Sequence, residues 1–234
     1  MLPAATSENR VWPYFFLSHA HAPALRNEDR RTSRPTRLVR RLFDELCDHL
    51  GELCPPIGTV PIGMMDGRIA LGEDWEAWLS RQLAQCRVFV ALLSPGYFAS
   101  DMCGREWAVF GARTVEPRGG ADRSPGGAVV PVRWVPTPLE QTPVQARRLQ
   151  YDHGDFPASY RSQGLYALMA RPAMKRDCRE SVFLLAERIK QVALGTVIHE
   201  GEAVPLGQVR SAFAPEERIR PPRFHAVPPG NSVS

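Results

Sequence analysis

The sequence predicts an α/β fold with a central parallel sheet of about five strands and helices on both faces. Three observations carry that expectation. Short apolar runs of strand length recur at 12–17 (WPYFFL), 62–65, 88–93 (VFVALL) and 128–135 (AVVPVRWV), with the near-continuous character of strands buried on both sides. Segments with helical apolar spacing separate these runs. Glycine, proline and serine mark the junctions.

The first strand, 12–17, ends at Ser18, His19, Ala20 and His21, and the polar, Arg-rich residues 22–34 read as a loop. Pro35 opens a helix at a position where its missing N–H costs nothing. Val39, Leu42, Phe43, Leu46 and Leu50 form that helix's inner stripe, and Gly51 can stop it. Residues 54–72 hold too many prolines and glycines for a helix, so a short strand at 62–65 and a loop at 66–72 are expected. Next come an amphipathic helix at 73–86, turning Trp75, Trp78, Leu79 and Leu83 inward or partly so, then the strand at 88–93 and one helix over about 97–113. Residues 118–127 are a loop by composition, and Pro131 puts the strand at 128–135 at an outer position or a bulge. Residues 136–178 read as irregular apart from a short helix near 164–170. A final helix at 180–193 sets Val182, Leu185, Ile189 and Val192 or Ala193 on one side. The expected organisation is a tail at 1–11, one domain at 12–198 and a Pro-rich, aperiodic linker or disordered tail at 199–234.

Composition narrows the function classes. A hydrophobic fraction of 44% and a charged fraction of 23% suit a soluble globular domain. The net charge of +4 is nearly all arginine, with Lys175 and Lys190 the only lysines, and is too small and scattered for a nucleic-acid footprint. The arginines at 26, 30, 31, 34, 37, 40 and 41 could meet a phosphate or an acidic partner, although a solvated helix flank and loop explains them as well. Five cysteines without a CxxC pair argue against disulfide scaffolding and zinc. His19 and His21 could form half a metal site, but no further ligand sits at suitable spacing, so no metal is expected. The N-terminal residues lack the apolar core of a signal peptide, and the longest apolar run is far short of a membrane span, so a cytoplasmic protein with no membrane contact is expected.

Glu106 is the most informative charged residue. Cys103, Trp107 and Phe110 share a core-facing stripe, and Glu106 lies beside it with Met102, Cys103, Val109 and Phe110 three and four residues away. None is a cation, so a helical ion-pair partner is missing. An acid at the edge of a buried stripe, just past the carboxyl end of a strand, is where open α/β sheets place ligand chemistry. The plain alternative is a solvated glutamate on a helix flank. Asp101 and Arg105, by contrast, form an ordinary i, i+4 pair.

Three separated motifs in order resemble the TIR domain family over roughly residues 12–196: FFLSHAHA at 15–22, GMMDGRIALGEDWEAWL at 63–79 and LLSPGYFASDMCGREW at 92–107. Val130, Pro131 and Val132 are similar to the strand that follows them in the family. The third motif resembles the family's Ser-x-x-Tyr-x-x-Ser-x-Trp-Cys-x-x-Glu pattern, with Ser94, Tyr97, Ser100, Cys103 and Glu106 in register. Met102 stands where the family often has tryptophan, and the Arg-rich stretch 26–41 makes the first loop longer than usual. Within the family, PYFFLSHAH is similar to bacterial TIR-like proteins encoded beside FxSxx-COOH ribosomal peptides (FxsC).

The resemblance implies a flavodoxin-like TIR fold and, as a candidate activity, cleavage of NAD+ between nicotinamide and ribose, with NAD+ as substrate and no resident cofactor. It implies Glu106 as the catalytic carboxylate. Ser18, His19 and Ala20 would line the nucleotide pocket, Asp66, Gly67, Gly72 and Trp75 would flank it, and Ser94, Tyr97, Ser100 and Cys103 would complete it. A lone Asp66 in a Gly-rich loop also reads as a turn-former. The resemblance further implies self-association through TIR surfaces. The alternative is a non-catalytic module binding another TIR domain or a peptide-maturation protein through the loop at 66–72. A receiver-like domain is set aside, because it needs clustered acids where this chain has Ser18 and His19.

Overall fold

Four short apolar runs pair side by side, all in one direction, in the computed structural model of the chain, which describes residues 11–21, 33–66, 74–118, 127–149 and 154–214. They are β1 (Phe15–Ser18), β2 (Gly63–Met65), β3 (Val88–Leu93) and, at one edge, Val129–Arg133, in the spatial order β2, β1, β3 and the edge strand. Two further short strands, β4 (Val115–Pro117) and β6 (Thr196–Ile198), pair antiparallel in a separate ribbon, so the edge strand is β5. The parallel sheet thus has four strands among the described residues, where about five were expected. The difference lies after β5, where the described residues form helices and the short β6, which pairs with β4 outside this sheet. Pro131 sits in β5, which pairs only with β3, so its missing N–H can face away from the ladder.

Buried strands alternate their side chains between two cores. Phe15, Leu17, Val88, Val90 and Leu92 face α1 (Arg34–Leu53), α6 (Ala158–Ala170) and α7 (Lys175–Gly195). Phe16, Phe89, Ala91 and Leu93 face α2 (Trp75–Gln85) and α4 (Asp101–Gly111). Helices therefore cover both faces, and the expected stripe of Val39, Leu42, Phe43, Leu46 and Leu50 is buried. Gly51 does not stop α1, which runs on to Leu53.

The segment read as one helix over 97–113 is two, α3 (Pro95–Ala99) and α4, because serine side chains cap each start. The Tyr97 N–H donates to Ser94 Oγ at 3.1 Å and the Cys103 N–H to Ser100 Oγ at 3.3 Å. Residues 136–178 are more helical than expected, with a short α5 (Val144–Arg147), α6 and an α7 that begins at Lys175. Gly164 kinks α6 at φ 77°, where a Cβ would approach the Trp134 carbonyl oxygen to 2.6 Å.

Residues 199–214, expected as the start of the linker, cross α2 and α4 as a packed strap. The His199 N–H donates to Thr114 O at 3.0 Å, the Gly201 N–H to Ala84 O at 3.0 Å, and Leu206 is fully buried. Among the described residues no helix is long and apolar enough to cross a membrane.

Candidate active site

The chain winds from β1 outward to β2 and then returns to the other side of β1 to form β3. The carboxyl ends of β1 and β3 therefore flank the point where strand order reverses, the crevice in which open α/β sheets bind ligands. Ser18 is the last residue of β1, in register with Ala91 of β3. Its hydroxyl donates to Glu106 Oε2 and lies 2.9 Å from the Tyr97 hydroxyl. With the serine proton given to the carboxylate, Tyr97 is left to donate to Ser18, forming a relay Tyr97–Ser18–Glu106.

Glu106 is 3% exposed, which removes the reading of a solvated helix flank. Burial pushes its pKa up to about 8. The Ser18 hydrogen bond opposes that rise, the negative charge of Asp66 adds to it, and His21 pulls it down. Among the described residues the charges that act on it are thus a carboxylate and an imidazole, with no lysine or arginine. Cys103, one turn earlier, is buried, and its thiol is pushed up to about 12 by burial and then by the Glu106 charge. It is a packing residue that keeps the acid dry, since a reactive thiol needs the opposite shift.

Asp66 follows β2 and is more than a turn-former. Its Oδ2 accepts from His21 Nε2 at 2.8 Å and its Oδ1 from Trp75 Nε1 at 2.8 Å. Burial raises its pKa, but the hydrogen bonds from His21 and Trp75 outweigh this and hold the carboxyl below its ordinary value. Trp75 begins α2 and is 36% exposed, so it presents an aromatic wall while its N–H is anchored. His19 packs edge-on against His21, ring centroids 4.8 Å apart. Burial, then His21, lowers its pKa to about 4 against the opposing pull of Asp66, so His19 is a neutral imidazole.

The structure thus sorts the expected site residues. Ser18, Tyr97, Cys103 and Glu106 form a buried cluster, and Asp66 and Trp75 join with His21 beside it. His19, Ala20 and Ser94 line a small cavity of about 40 Å³ against the start of α1. Ser94 and Ser100 spend their side-chain oxygens on helix caps. Gly67 and Gly72 lie outside the described residues. Among the described residues no three His, Cys, Asp or Glu side chains converge as a metal-holding group.

Sequence reasoning missed the His21–Asp66 pair, because 45 residues separate its members and His21 had been weighed only as a metal ligand. It also missed Arg113, just past α4, which is 8% exposed. Its guanidinium donates to the carbonyls of His199, Leu83 and Cys86 at 3.0, 2.9 and 2.5 Å. A lone arginine at the end of an apolar helix carries no signal of such burial.

A family model described as TIR domain matches residues 36–163 of the chain. The protein belongs to the TIR domain family. No curated protein and no solved structure matches the chain. The matched stretch covers β2, β3, α4 and β5 and includes Asp66, Trp75, Tyr97 and Glu106, while Ser18 and the strap lie outside it. TIR domains generally mediate TIR–TIR contacts, and the family includes both signalling modules and NAD+-cleaving enzymes.

Proposed function

We propose that this TIR domain is an NAD+ glycohydrolase with Glu106 as its catalytic carboxylate. The observation that carries the reading is a buried acid with no cationic side-chain partner but the weak pull of His21 among the described residues, held by a serine–tyrosine relay at the strand-order reversal. In NAD+ the nicotinamide ring is already positive, so when its bond to ribose C1′ breaks the electron pair leaves with the ring nitrogen and nicotinamide departs neutral. No general acid is needed. Positive charge develops on the ribose, as in glycoside hydrolysis, and a fixed carboxylate in a dry site stabilises it more than water would. The cationic ring supplies a counter-charge that no described lysine or arginine gives Glu106, so substrate binding ionises the acid and offsets its desolvation. Water then bonds to C1′ and releases a proton, which a carboxylate with a pKa near 8 is suited to accept.

In this scheme Ser18 orients the carboxylate, and Asp66 and Trp75 border the substrate. Ser94, Ser100 and Cys103 shape the site without touching substrate. Self-association through TIR surfaces is part of the proposal, as are a cytoplasmic location and a place among the FxsC-like proteins on the PYFFLSHAH opening.

A second reading is a non-catalytic TIR module that binds another TIR domain or a peptide-maturation protein. Met102 favours it, because a half-buried thioether packed on the core stands where the family often has an aromatic ring. Nicotinamide release from NAD+, measured at high protein concentration, separates the two. Glu106→Gln is expected to lower turnover by about 10²- to 10³-fold while the fold is retained. Equal inertness of wild type and variant in the assembled state transfers the case to the binding module.

A further inference from the structure

Phe213 lies at the far end of the strap, and its ring packs against three aromatic residues of α3 and α4. Centroid distances are 5.7 Å to Tyr97, 5.5 Å to Phe98 and 5.5 Å to Trp107. Tyr97 is the start of the relay to Glu106, and Trp107 is the residue after Glu106. The strap also bonds to the backbone of α4 one half-turn before the acid, where the Ala212 N–H donates to Gly104 O at 2.9 Å. Gly104 makes that approach possible, since a Cβ there would lie 1.9 Å from Ser211 Oγ. Further anchors hold the strap along α2 and α4: the Ser80 hydroxyl donates to Val204 O at 2.6 Å and Arg105 to Leu206 O at 3.0 Å. The strap itself, though not the helix residues it packs on, lies beyond the stretch that the family model matches.

We infer that the strap of residues 199–214 positions the Glu106 site, with Phe213 seating the Tyr97 ring from behind and the Ser211–Gly104 contact fixing the register of strap on helix. The inference rests on the proposed role of Glu106. Tyr97 is fully buried, and Phe213 forms part of the wall that keeps it so. With that wall removed, the phenol gains room to turn, Ser18 loses its donor, and the carboxylate loses the orientation in which it meets developing charge. Phe213 is thus a positioning residue, and it touches neither substrate nor Glu106.

The test uses the full chain with two readouts: steady-state nicotinamide release, and the ¹³C NMR signal of the Glu106 side-chain carboxyl. Phe213→Ala is expected to lower kcat about tenfold to a hundredfold, the range for misplacement of a reacting group by about an ångström. KM should stay within about twofold, and the carboxyl signal should move. Phe213→Leu should restore most of both. Gly104→Ala should act like Phe213→Ala by expelling Ser211, and Gly104→Ala combined with Ser211→Gly should recover, which guards against simple misfolding. Unchanged kcat and an unchanged carboxyl signal in Phe213→Ala overturn the inference. If wild type shows no turnover, the glycohydrolase reading fails on its own account and the carboxyl signal decides the strap: a shift supports it, no shift sinks it.

Discussion

Two charged side chains at opposite ends of one short stretch, Glu106 and Arg113, are buried almost equally, at 3% and 8% exposure. Their surroundings are opposite in kind. Arg113 is held by carbonyl oxygens from three residues and by the faces of Trp12 and Phe110, with its guanidinium carbon 5.6 and 5.2 Å from the ring centroids. Glu106 has hydroxyl support and, among the described residues, no lysine or arginine beside it, and burial raises its pKa to about 8. A buried charge that knits structure is given acceptors and polarisable faces. A buried charge left without its counter-charge stays costly until something arrives to supply one. That contrast, more than burial itself, is what supports the role proposed for Glu106.

The comparison breaks first at Arg113. Arg113→Met preserves bulk but takes the donor away from the Leu83, Cys86 and His199 carbonyls, joining points of α2 and the strap. Leaving such acceptors unpaired costs about 3–5 kcal/mol in total. For a domain of this size that lowers Tm on the order of 10 °C. A thermal scan in which the variant melts with wild type would show Arg113 to be idle.

Glu106→Gln is expected to move stability the other way. The folded pKa of about 8 lies above the ordinary 4.5, so the folded state holds a proton that the unfolded chain gives up. Stability from this group is complete below about pH 4.5 and is lost progressively as pH rises through about 8. By pH 7 the loss is roughly 3 kcal/mol. Glutamine carries no such liability, so the variant should melt several degrees above wild type at pH 8 and converge with it near pH 4.5. His19 acts in the opposite direction, because its pKa of about 4 makes the fold lose stability as pH falls from 6.5 through 4. A Glu106→Gln profile that falls only on the acid side leaves His19 and, at lower pH, Asp66 as its sources. A parallel profile in wild type and variant would mean that Glu106 is ionised throughout.

The sheet was legible because apolar runs of strand length leave few alternatives, and of the outer position or bulge that Pro131 implied, the structure shows the edge. Both helical faces followed from stripes such as Val39 to Leu50. The break at Ser100 was written in the chain as a capping serine before Asp101, but apolar spacing that runs across the junction concealed it. The strap was illegible for a different reason: its anchors are mostly backbone hydrogen bonds, which have no periodicity and accept nearly any residue. Gly104, a glycine in an amphipathic helix, was its one trace. For the site, the spacing around Glu106 posed the right question without the answer. Ser18, 88 residues earlier, decides whether the acid is buried and partnered, and no local pattern reports a partner at that separation.

The relay offers the finest cut. Tyr97→Phe keeps the ring that packs on Phe98 and Phe213 and deletes only the hydroxyl that reaches Ser18. The direct loss includes the buried hydrogen bond to Ser18, about 1 kcal/mol. The indirect effect tests the contrast with Arg113 more sharply. Donation from Tyr97 polarises Ser18 and strengthens its bond to the Glu106 carboxylate, so removing it weakens the one interaction that lowers the acid's pKa most. The pH window over which stability declines should therefore shift upward in Tyr97→Phe, while Arg113, bonded to carbonyls that do not titrate, is unaffected. A melting-temperature profile against pH reads both at once. If the drop keeps its midpoint while overall stability falls, Tyr97 and Glu106 are neighbours through Ser18 without being coupled, and the serine alone sets the state of the acid.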